Sequence, residues 1–496
     1  MSTVALTGRY VAQYTRSPLN LILLVAVPVV FVTLSAGALA EFADLLGGTG
    51  DTNALEANTA GWAAAFLAGV AAYFQVSGSR ETDRRLAVAG LGAGRVVAAR
   101  LTSGLGLAVL AAAGALLALA VRTGMEDPLR ALGATLMFAV IYLAIGTVVG
   151  VLVRDEVNGS VVVLFVWFLD VFFGPTMSGS DSLITRVFPT HFVSLFMVDA
   201  ASGHAGALSD LAVALAWTVG SLVVAALVFA AATRPSHRVR RSAGSLGRLA
   251  AGLRFGLREY RRNTVLWALL VVVPLVFITL AIATTPDGPM PVEVSEGGLR
   301  ENRIISMVDL HGAIMAPIAV AFLAGLAGLS AVLGSAQGDR RLALAGFRSR
   351  EVLGARLGVI AVATLLVTAV SLAVTAVEFS PEQWLTFAGA TLLVGLTYGL
   401  IGAAVGPLVG RVGGLYLMFL IPFLDVGLAQ NVMFDAAPPA WGRFMPAYGA
   451  VRVLIDGAFT PGFDELGALL LALAWLAAMA LAAVAVFHRV AEPERA

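Results

Sequence analysis

Residues 131–153 read ALGATLMFAVIYLAIGTVVGVLV, an apolar run without one charged side chain. About 20 such residues in an α-helix cross the ~30 Å hydrocarbon core of a bilayer. The rest of the chain has the same character, since 59% of its 496 residues are hydrophobic and 13% are charged. A soluble protein has about 25% charged residues. The sequence therefore predicts a protein that crosses the membrane several times.

Twelve apolar stretches are long enough to cross a bilayer. They lie at approximately 18–38, 59–79, 97–121, 131–153, 157–174, 208–233, 264–284, 313–335, 353–377, 385–409, 412–432 and 464–487. With these spans, 25 of the 32 Arg lie on the side that holds both termini, and 7 lie on the other side. Because positively charged loops stay in the cytoplasm, we expect both termini to be cytoplasmic.

The basic residues exclude several kinds of chemistry. All 32 are Arg, and the chain contains neither Lys nor Cys. It therefore lacks the lysine of a phosphate-binding loop, a Schiff-base lysine, disulfides and thiolate nucleophiles. His191, His204 and His311 are too far apart in the sequence to suggest a metal site. We expect no cofactor in this chain and no enzyme activity of its own.

The sequence contains an internal duplication. The segment 83–87, Asp-Arg-Arg-Leu-Ala, returns 256 residues later as 339–343. Other residues return at offsets of 246 to 257, among them Tyr14, Arg16, Pro28, Phe31, Arg100, Gly146, Gly150, Asp170, Arg186 and Pro189. Six spans is an even number, so both halves have the same orientation. We predict an all-α polytopic membrane protein with twelve transmembrane helices, arranged as two parallel six-helix repeats.

The predicted domains are a first six-span unit at 1–233, a basic cytoplasmic linker at 234–262 and a second six-span unit at 263–496. Leucines recur in the linker at three- and four-residue spacing, which predicts an amphipathic helix in the inner headgroup layer. Residues 3–16 occupy the matching place in the first half. The alternative is that both segments are merely basic flanks that fix the orientation.

Two loops and two external segments carry the remaining motifs. After the second span of each half the chain reads Arg80-Glu81-Thr82-Asp83-Arg84-Arg85-Leu86 and Gln337-Gly338-Asp339-Arg340-Arg341-Leu342. Before the last span of each half it reads Arg186-Val187-Phe188-Pro189-Thr190-His191 and Arg443-Phe444-Met445-Pro446-Ala447-Tyr448.

In this order and spacing, the motifs resemble those of class-two permeases of ATP-binding cassette exporters. The six-span unit of that family has an interfacial N-terminal helix, a loop after the second span that often reads Arg-Glu-x-Gly-Thr, and an external re-entrant segment with a Pro. The first loop keeps the Arg-Glu start but loses Gly-Thr, and the second loses both. Each half of the chain resembles one six-span unit of the family, so the resemblance covers nearly the whole chain.

The resemblance implies a function and a location. It implies a permease subunit that moves an amphipathic or hydrophobic substrate outward, such as a drug, antibiotic, lipid or glycoconjugate. The power would come from a separate ATPase subunit, expected in two copies, which binds ATP and Mg. The expected location is the cytoplasmic (inner) membrane of a prokaryote, with re-entrant hairpins on the external side.

The cytoplasmic loops are the predicted coupling elements for this ATPase. Their candidate residues are Glu81, Asp83, Arg84, Arg85, Asp339, Arg340 and Arg341. Carboxylate and guanidinium groups make directional contacts that can transmit motion. The alternative is that these charges only fix the orientation of the chain.

Two acidic residues, Asp170 and Asp425, lie inside predicted spans near their outer ends. A carboxylate at membrane depth is costly, so each is expected to face the bundle interior or an aqueous vestibule. The predicted external gate or substrate path consists of Asp170, Asp425, Pro189, His191, Pro446 and Tyr448. Capping of a broken helix by these carboxylates is the alternative.

A proton-coupled secondary drug transporter with twelve spans is the alternative function. Its loop pattern, Gly-x-x-x-Asp-Arg-x-Gly-Arg-Arg, differs from both loops here, since Gly78 and Gly334 stand five residues before the Asp. A membrane enzyme is a third possibility, but the sequence clusters no His, Asp or nucleophile at one membrane depth. The Gly-x-x-x-Gly patterns at 146–150 and 402–406 predict close contact between helices.

Overall fold

The computed structural model describes residues 3–15, 17–47, 52–125, 127–153, 155–178, 185–198, 207–233, 264–334 and 349–491. The chain divides into two compact units, Met1–Ala243 and Gly244–Ala496. The amphipathic helix predicted for 234–262 lies outside the described residues. So does the second loop, with Asp339, Arg340 and Arg341.

The described part of the first unit is helical. Its helices are α1 (Thr3–Thr15), α2 (Pro18–Leu45), α3 (Thr52–Ser77), α4 (Arg80–Leu86), α5 (Ala93–Arg122), α6 (Pro128–Leu152), α7 (Glu156–Phe172), α8 (Pro175–Ser178), α9 (His191–Val198) and α10 (Ala207–Ala232). A π-helical turn, Ala87–Leu91, joins α4 to α5, and a 3-10 turn, Thr185–Val187, precedes α9. Proline begins α2 and α6, where its missing N–H has no helical acceptor to lose.

The second unit adds a small sheet to its helices. Its elements are α11 (Thr264–Thr284), β1 (Pro289–Glu296), β2 (Leu299–Ser306), α12 (Met307–Leu333), α13 (Ser349–Glu378), α14 (Trp384–Pro422), α15 (Tyr448–Phe459) and α16 (Leu466–Ala491). A π-helical segment, Phe423–Ala429, continues α14, and a 3-10 turn, Gly442–Phe444, precedes α15.

Eleven helical stretches within the described residues are long and apolar enough to cross a membrane. One of them, Trp384–Ala429, has 46 residues. At 1.5 Å per residue it would measure roughly 69 Å, more than twice the hydrocarbon thickness. Gly410 breaks its helical geometry with φ 73° and ψ −170°. The break falls between the tenth and eleventh predicted spans, and the total of twelve stays a prediction.

Helix bounds in the two units follow the offset of 256 residues read from the sequence. Helices α5 and α13 have 30 residues each, and both their first and their last residues are 256 positions apart. Helices α6 and α14 also begin 256 positions apart. The equivalence of individual positions can therefore be used to compare the two units.

Each unit is built around one closely packed helix pair, α3 with α6 in the first unit and α12 with α14 in the second. A Cβ placed on Gly146 would overlap the carbonyl of Gly69, and one on Gly402 would overlap the carbonyl of Gly325. The backbones approach so closely that no side chain fits between them. The close contacts predicted from the Gly-x-x-x-Gly patterns are confirmed.

The β-hairpin was not predicted from the sequence, so the unit is not purely α-helical. Strands β1 and β2 are antiparallel, with Glu296 paired to Leu299 across a two-residue turn. The turn residues Gly297 and Gly298 have φ values of +60° and +79°. Positive φ at both positions is what the tight turns of hairpins require, and glycine adopts it without strain. The hairpin coincides with the place where the repeat offset grows from 246 to 256 residues.

Substitution of Gly402 by Ala should destabilise the second unit. The new methyl group collides with the backbone of α12, and overpacking of this kind lowers the free energy of unfolding by about 1–3 kcal/mol. Gly389→Ala on the same helix is the matched control, since a Cβ there meets nothing within 4 Å. Thermal unfolding followed by circular dichroism in detergent measures both. Equal melting temperatures for the two variants would contradict the close packing.

Candidate functional site

The short helix α4 is fixed to the first unit by a buried carboxylate. Asp83 is fully buried, and its Oδ1 accepts hydrogen bonds from Tyr10 Oη at 2.9 Å and from Arg100 Nη2 at 3.0 Å. Its Oδ2 accepts from Arg100 Nε at 2.9 Å and from Ser79 Oγ at 3.2 Å. The bidentate pairing of arginine and carboxylate combines charge with fixed geometry. Asp83, Arg100 and Tyr10 are called the loop node below.

The loop node joins three helices, because Tyr10 lies on α1, Asp83 on α4 and Arg100 on α5. The guanidinium carbon of Arg100 stands 3.5 Å from the centre of the Tyr10 ring, a cation–π contact. Around it, Leu6 and Tyr10 of α1 pack on Val96 of α5. Burial and the Asp83 carboxylate raise the pKa of Tyr10, so its hydroxyl remains a hydrogen-bond donor. Helix α4 is thus connected rigidly to α1 and α5.

The other face of α4 is exposed. Glu81 and Arg85 form an ion pair one turn apart, and their side chains are 78% and 77% exposed. Arg80 donates hydrogen bonds to the carbonyl oxygens of Gly150, at 2.6 Å from Nε, and of Val153 at the end of α6. Helix α4 therefore presents a charged surface while its other contacts hold it to α1, α5 and α6.

Among the predicted coupling residues of the first loop, Asp83 has a different place from the one expected. Its carboxylate is buried and binds Arg100, Tyr10 and Ser79, so in this structure it cannot also contact another protein. Arg84 is half-buried. The surface charges of α4 come from Glu81 and Arg85.

The first intramembrane carboxylate, Asp170, is buried at the end of α7. Its Oδ2 accepts hydrogen bonds from Tyr142 Oη at 2.8 Å and from Thr190 Oγ1 at 2.7 Å. Its Oδ1 faces the backbone N–H of Thr190 at 3.4 Å. Helices α6 and α7 are thereby tied to the start of α9. Tyr142, Asp170 and Thr190 form the first Tyr–Asp node.

The second intramembrane carboxylate, Asp425, repeats this arrangement. Its Oδ2 accepts from Tyr398 Oη at 2.6 Å and from the backbone N–H of Ala447 at 2.8 Å. Its Oδ1 accepts from Gln430 Nε2 at 3.2 Å. Alanine has no hydroxyl, and here the third donor is the side chain of Gln430, which binds the carboxylate oxygen that the tyrosine does not use. Tyr398, Asp425, Ala447 and Gln430 form the second Tyr–Asp node.

Both nodes cap a short helix. Thr190 directly precedes α9, and Ala447 directly precedes α15. The first N–H groups of a helix have no acceptor within it, and negative charge there is favoured by the helix dipole. Asp170 and Asp425 provide that acceptor from a neighbouring element. Both carboxylates face protein groups in this structure, with 3% and 0% exposure, and the helices that they cap are α9 and α15.

The remaining predicted gate residues stand at the same two helix starts. Pro189 and Pro446 are half-buried and come immediately before Thr190 and Ala447. His191 is the first residue of α9 and is buried, and its ring lies edge-on to Phe192 at 4.9 Å between centroids. Tyr448 is the first residue of α15 and is half-buried.

In the second unit, the β-hairpin is bound to the capped helix. Arg452 of α15 is 5% exposed and pairs with Glu465 at 3.0 Å and with the Glu293 carboxylate of β1 at 3.0 Å. The N–H of Glu293 also donates to the carbonyl of Ala436 at 3.0 Å. The helix α15 is therefore held by its Asp cap at one end and by the hairpin along its length.

Sequence reasoning identified the carboxylates of these sites but missed their partners. Tyr142 and Tyr398 are 256 residues apart, as are Arg100 and Arg356, so the internal repeat marks both pairs. Such a repeat shows which positions are equivalent but not which side chains meet. Tyr10 lies in the segment with the offset of 246 residues, and the equivalent residue in the second half is Gly256. The repeat therefore gives no indication that Tyr10 is important.

Residues 61–233 match the family model of the ABC-2 family transporter protein. This range runs from α3 to the end of α10 and contains the α4 loop and the first Tyr–Asp node. No curated protein matches the chain. The family match supports an ABC-2 type permease, the membrane subunit of an ABC transporter, and such permeases in general work with an ATP-binding cassette subunit.

Asp83→Asn should destabilise the first unit far more than a change at the exposed face of α4. The substitution leaves the Arg100 charge buried without its carboxylate, a loss of about 3–5 kcal/mol. Glu81→Gln on the same helix is the control, with an expected change within about 0.5 kcal/mol. The double variant Asp83→Leu/Arg100→Met, which removes both charges, should recover most of the stability in thermal unfolding. If the double variant is no more stable than Asp83→Asn, the interaction of Asp83 with Arg100 alone does not explain the loss of stability.

Asp425→Ala should loosen α15. In the cysteine-free chain, Val451→Cys places a single thiol at a side chain that is 2% exposed, and Phe444→Cys places one at a side chain that is 80% exposed. A water-soluble maleimide should label the second thiol at once and the first slowly. Removal of the Asp425 cap should speed labelling at Val451→Cys about tenfold or more. A decrease of about 1.4 kcal/mol in the free energy of local opening of α15 gives a tenfold change. Labelling at Phe444→Cys should not change, and an unchanged rate at Val451→Cys would argue against the cap.

Proposed function

We propose that this chain is the permease subunit of an ABC exporter, with two six-span units fused in one polypeptide. The observation that carries the proposal is the ABC-2 family match over the first unit. The second unit has the same order of helices in its described part and a second Tyr–Asp node at equivalent positions. A dimer of six-span permeases contributes its two units as two separate chains. In the proposed fusion, both units belong to one chain.

The proposed substrate is an amphipathic or hydrophobic molecule, such as a drug, antibiotic, lipid or glycoconjugate, and the proposed direction is outward. The chain acts as a transport subunit and not as an enzyme. ATP and Mg bind to the partner ATPase, proposed in two copies, since the sequence repeats the Asp-Arg-Arg loop in each half. The proposed location is the inner membrane of a prokaryote with both termini in the cytoplasm.

Helix α4 is the proposed coupling element of the first unit. A coupling element needs a surface that the partner subunit can bind and a rigid connection to the transmembrane helices. Glu81 and Arg85 provide the surface, with more than three quarters of each side chain exposed. The loop node and Arg80 provide the connection to α1, α5 and α6. Asp83 then acts as a positioning residue and does not contact the ATPase.

The membrane chain should hydrolyse no ATP when purified alone and should bind an ATPase expressed with it. Glu81→Ala/Arg85→Ala should reduce the affinity for the ATPase about tenfold, since both exposed charges of α4 are lost. Glu301→Ala, an exposed acid with a 58% accessible side chain on the hairpin, is the control and should have no effect. The affinity for the ATPase is measured by pull-down in nanodiscs, and the direction of transport by substrate uptake into inside-out vesicles.

Transport driven by a proton gradient alone, without nucleotide or partner, would overturn the proposal in favour of a secondary transporter.

A further inference from the structure

Helix α13 of the second unit carries four buried hydroxyl groups without a hydrogen-bond partner. They belong to Thr364, Thr368, Ser371 and Thr375, whose exposure is 5% or less. Among the residues that the structure describes, none donates to or accepts from these four oxygens. Positions spaced by four, three and four residues fall within an arc of roughly 60° on a helix, and the first and last are roughly 16 Å apart along its axis. These four residues are called the hydroxyl stripe.

The first unit has no hydroxyl at any of the equivalent positions. Since α5 and α13 correspond at an offset of 256, the counterparts of the hydroxyl stripe are Ala108, Ala112, Ala115 and Leu119, which are also buried. These four positions of α5 therefore pack without any polar group. The hydroxyls of α13 are a property of the second unit alone.

The first two residues of the hydroxyl stripe, Thr364 and Thr368, face two glycines of α14. A Cβ built on Gly395 would lie 2.6 Å from Cγ2 of Thr364 and 3.7 Å from Oγ1 of Thr368. A Cβ on Gly399 would lie 3.5 Å from Oγ1 of Thr364. The helices α13 and α14 are thus in direct contact at Thr364 and Thr368. Packing alone does not explain the threonines, because valine has the same shape and leaves no polar group unsatisfied.

We propose that the hydroxyl stripe binds neutral hydrogen-bonding groups of the transported molecule when α13 and α14 move apart. This inference rests on the proposed transport function and narrows its substrate class to apolar molecules with hydroxyl, ether or amide groups. Each hydroxyl donates one hydrogen bond and accepts two. The residues of α14 that lie against Thr364 and Thr368, Gly395 and Gly399, carry no charge. An ion would find no opposite charge among them, whereas a neutral polar group would find four partners in a row.

The absence of cysteine from the chain allows a direct test by water access. Single cysteines at Thr368 and Ser371 are exposed to a water-soluble methanethiosulfonate in nanodiscs, with and without the ATPase and ATP. Val451→Cys is one control, since Val451 is 2% exposed and lies on α15, not on either of the two helices that are proposed to separate. Ala112→Cys, the counterpart of Thr368 in the first unit, is the other. We expect labelling at the stripe at least tenfold faster than at either control in one of the two conditions.

The same thiols test the chemistry of the ligand. Decyl maltoside below its micellar concentration should slow labelling at Ser371→Cys, whereas decyl trimethylammonium, with the same tail and a cationic head that donates no hydrogen bond, should not. Thr364→Val/Thr368→Val should weaken this protection about tenfold, as expected for lost hydrogen bonds, with no fall in melting temperature. Labelling no faster than at Val451→Cys and Ala112→Cys in both conditions would overturn the inference. Equal protection by the cationic amphiphile would overturn it as well.

Failure of the proposed function would give a different pattern. If no ATPase binds the chain but the stripe is labelled and protected by the maltoside, the binding surface stands and the exporter proposal falls. If an ATPase binds and is stimulated but the stripe behaves like its controls, the exporter proposal stands and the stripe does not.

Discussion

A carboxylate buried among membrane helices needs hydrogen-bond donors within the protein, because the lipid offers none and a charge there is costly. This constraint organises both units. Asp170 and Asp425 each bind a tyrosine hydroxyl and the start of a short helix. Outside the candidate spans, the buried Asp83 meets the same demand with an arginine, a tyrosine and a serine. In every case the carboxylate becomes a joint between elements that are distant in the sequence.

These joints explain how the short segments keep their places. Helices α9 and α15 have 8 and 12 residues, and isolated helices of this length are marginal in water. Their stability comes from burial and from a cap supplied by another element. Helix α4, with 7 residues, carries its own carboxylate, Asp83, which binds Tyr10 of α1 and Arg100 of α5. The polar groups at these places therefore contribute positional order as much as stability.

Much of this could be read from the sequence, since apolar length and the repeat predicted the long helices and located Asp83, Asp170 and Asp425. The partners could not be read, because hydrogen bonds such as that between Tyr142 and Asp170 depend on how helices pack side by side. The sequence does contain a signal for the hairpin. Apolar and polar residues alternate around Val292 and Val294, two glycines follow at 297 and 298, and the repeat offset grows from 246 to 256 residues. Apolar alternation over so few residues is easily hidden in a chain that is mostly apolar.

The β-hairpin also has a practical consequence. It interrupts the sequence repeat in the second unit, and its tip is held by a hydrogen bond from the Gly297 N–H to Asp464 Oδ2 at 2.9 Å. A single-particle image of a chain with two similar halves is difficult to align, since each half can be mistaken for the other. An antibody fragment that recognises the strand residues Leu299 and Ile304, which are 75% and 65% exposed, would mark only the second unit. The hairpin thus offers a rigid landmark for distinguishing the halves in electron microscopy.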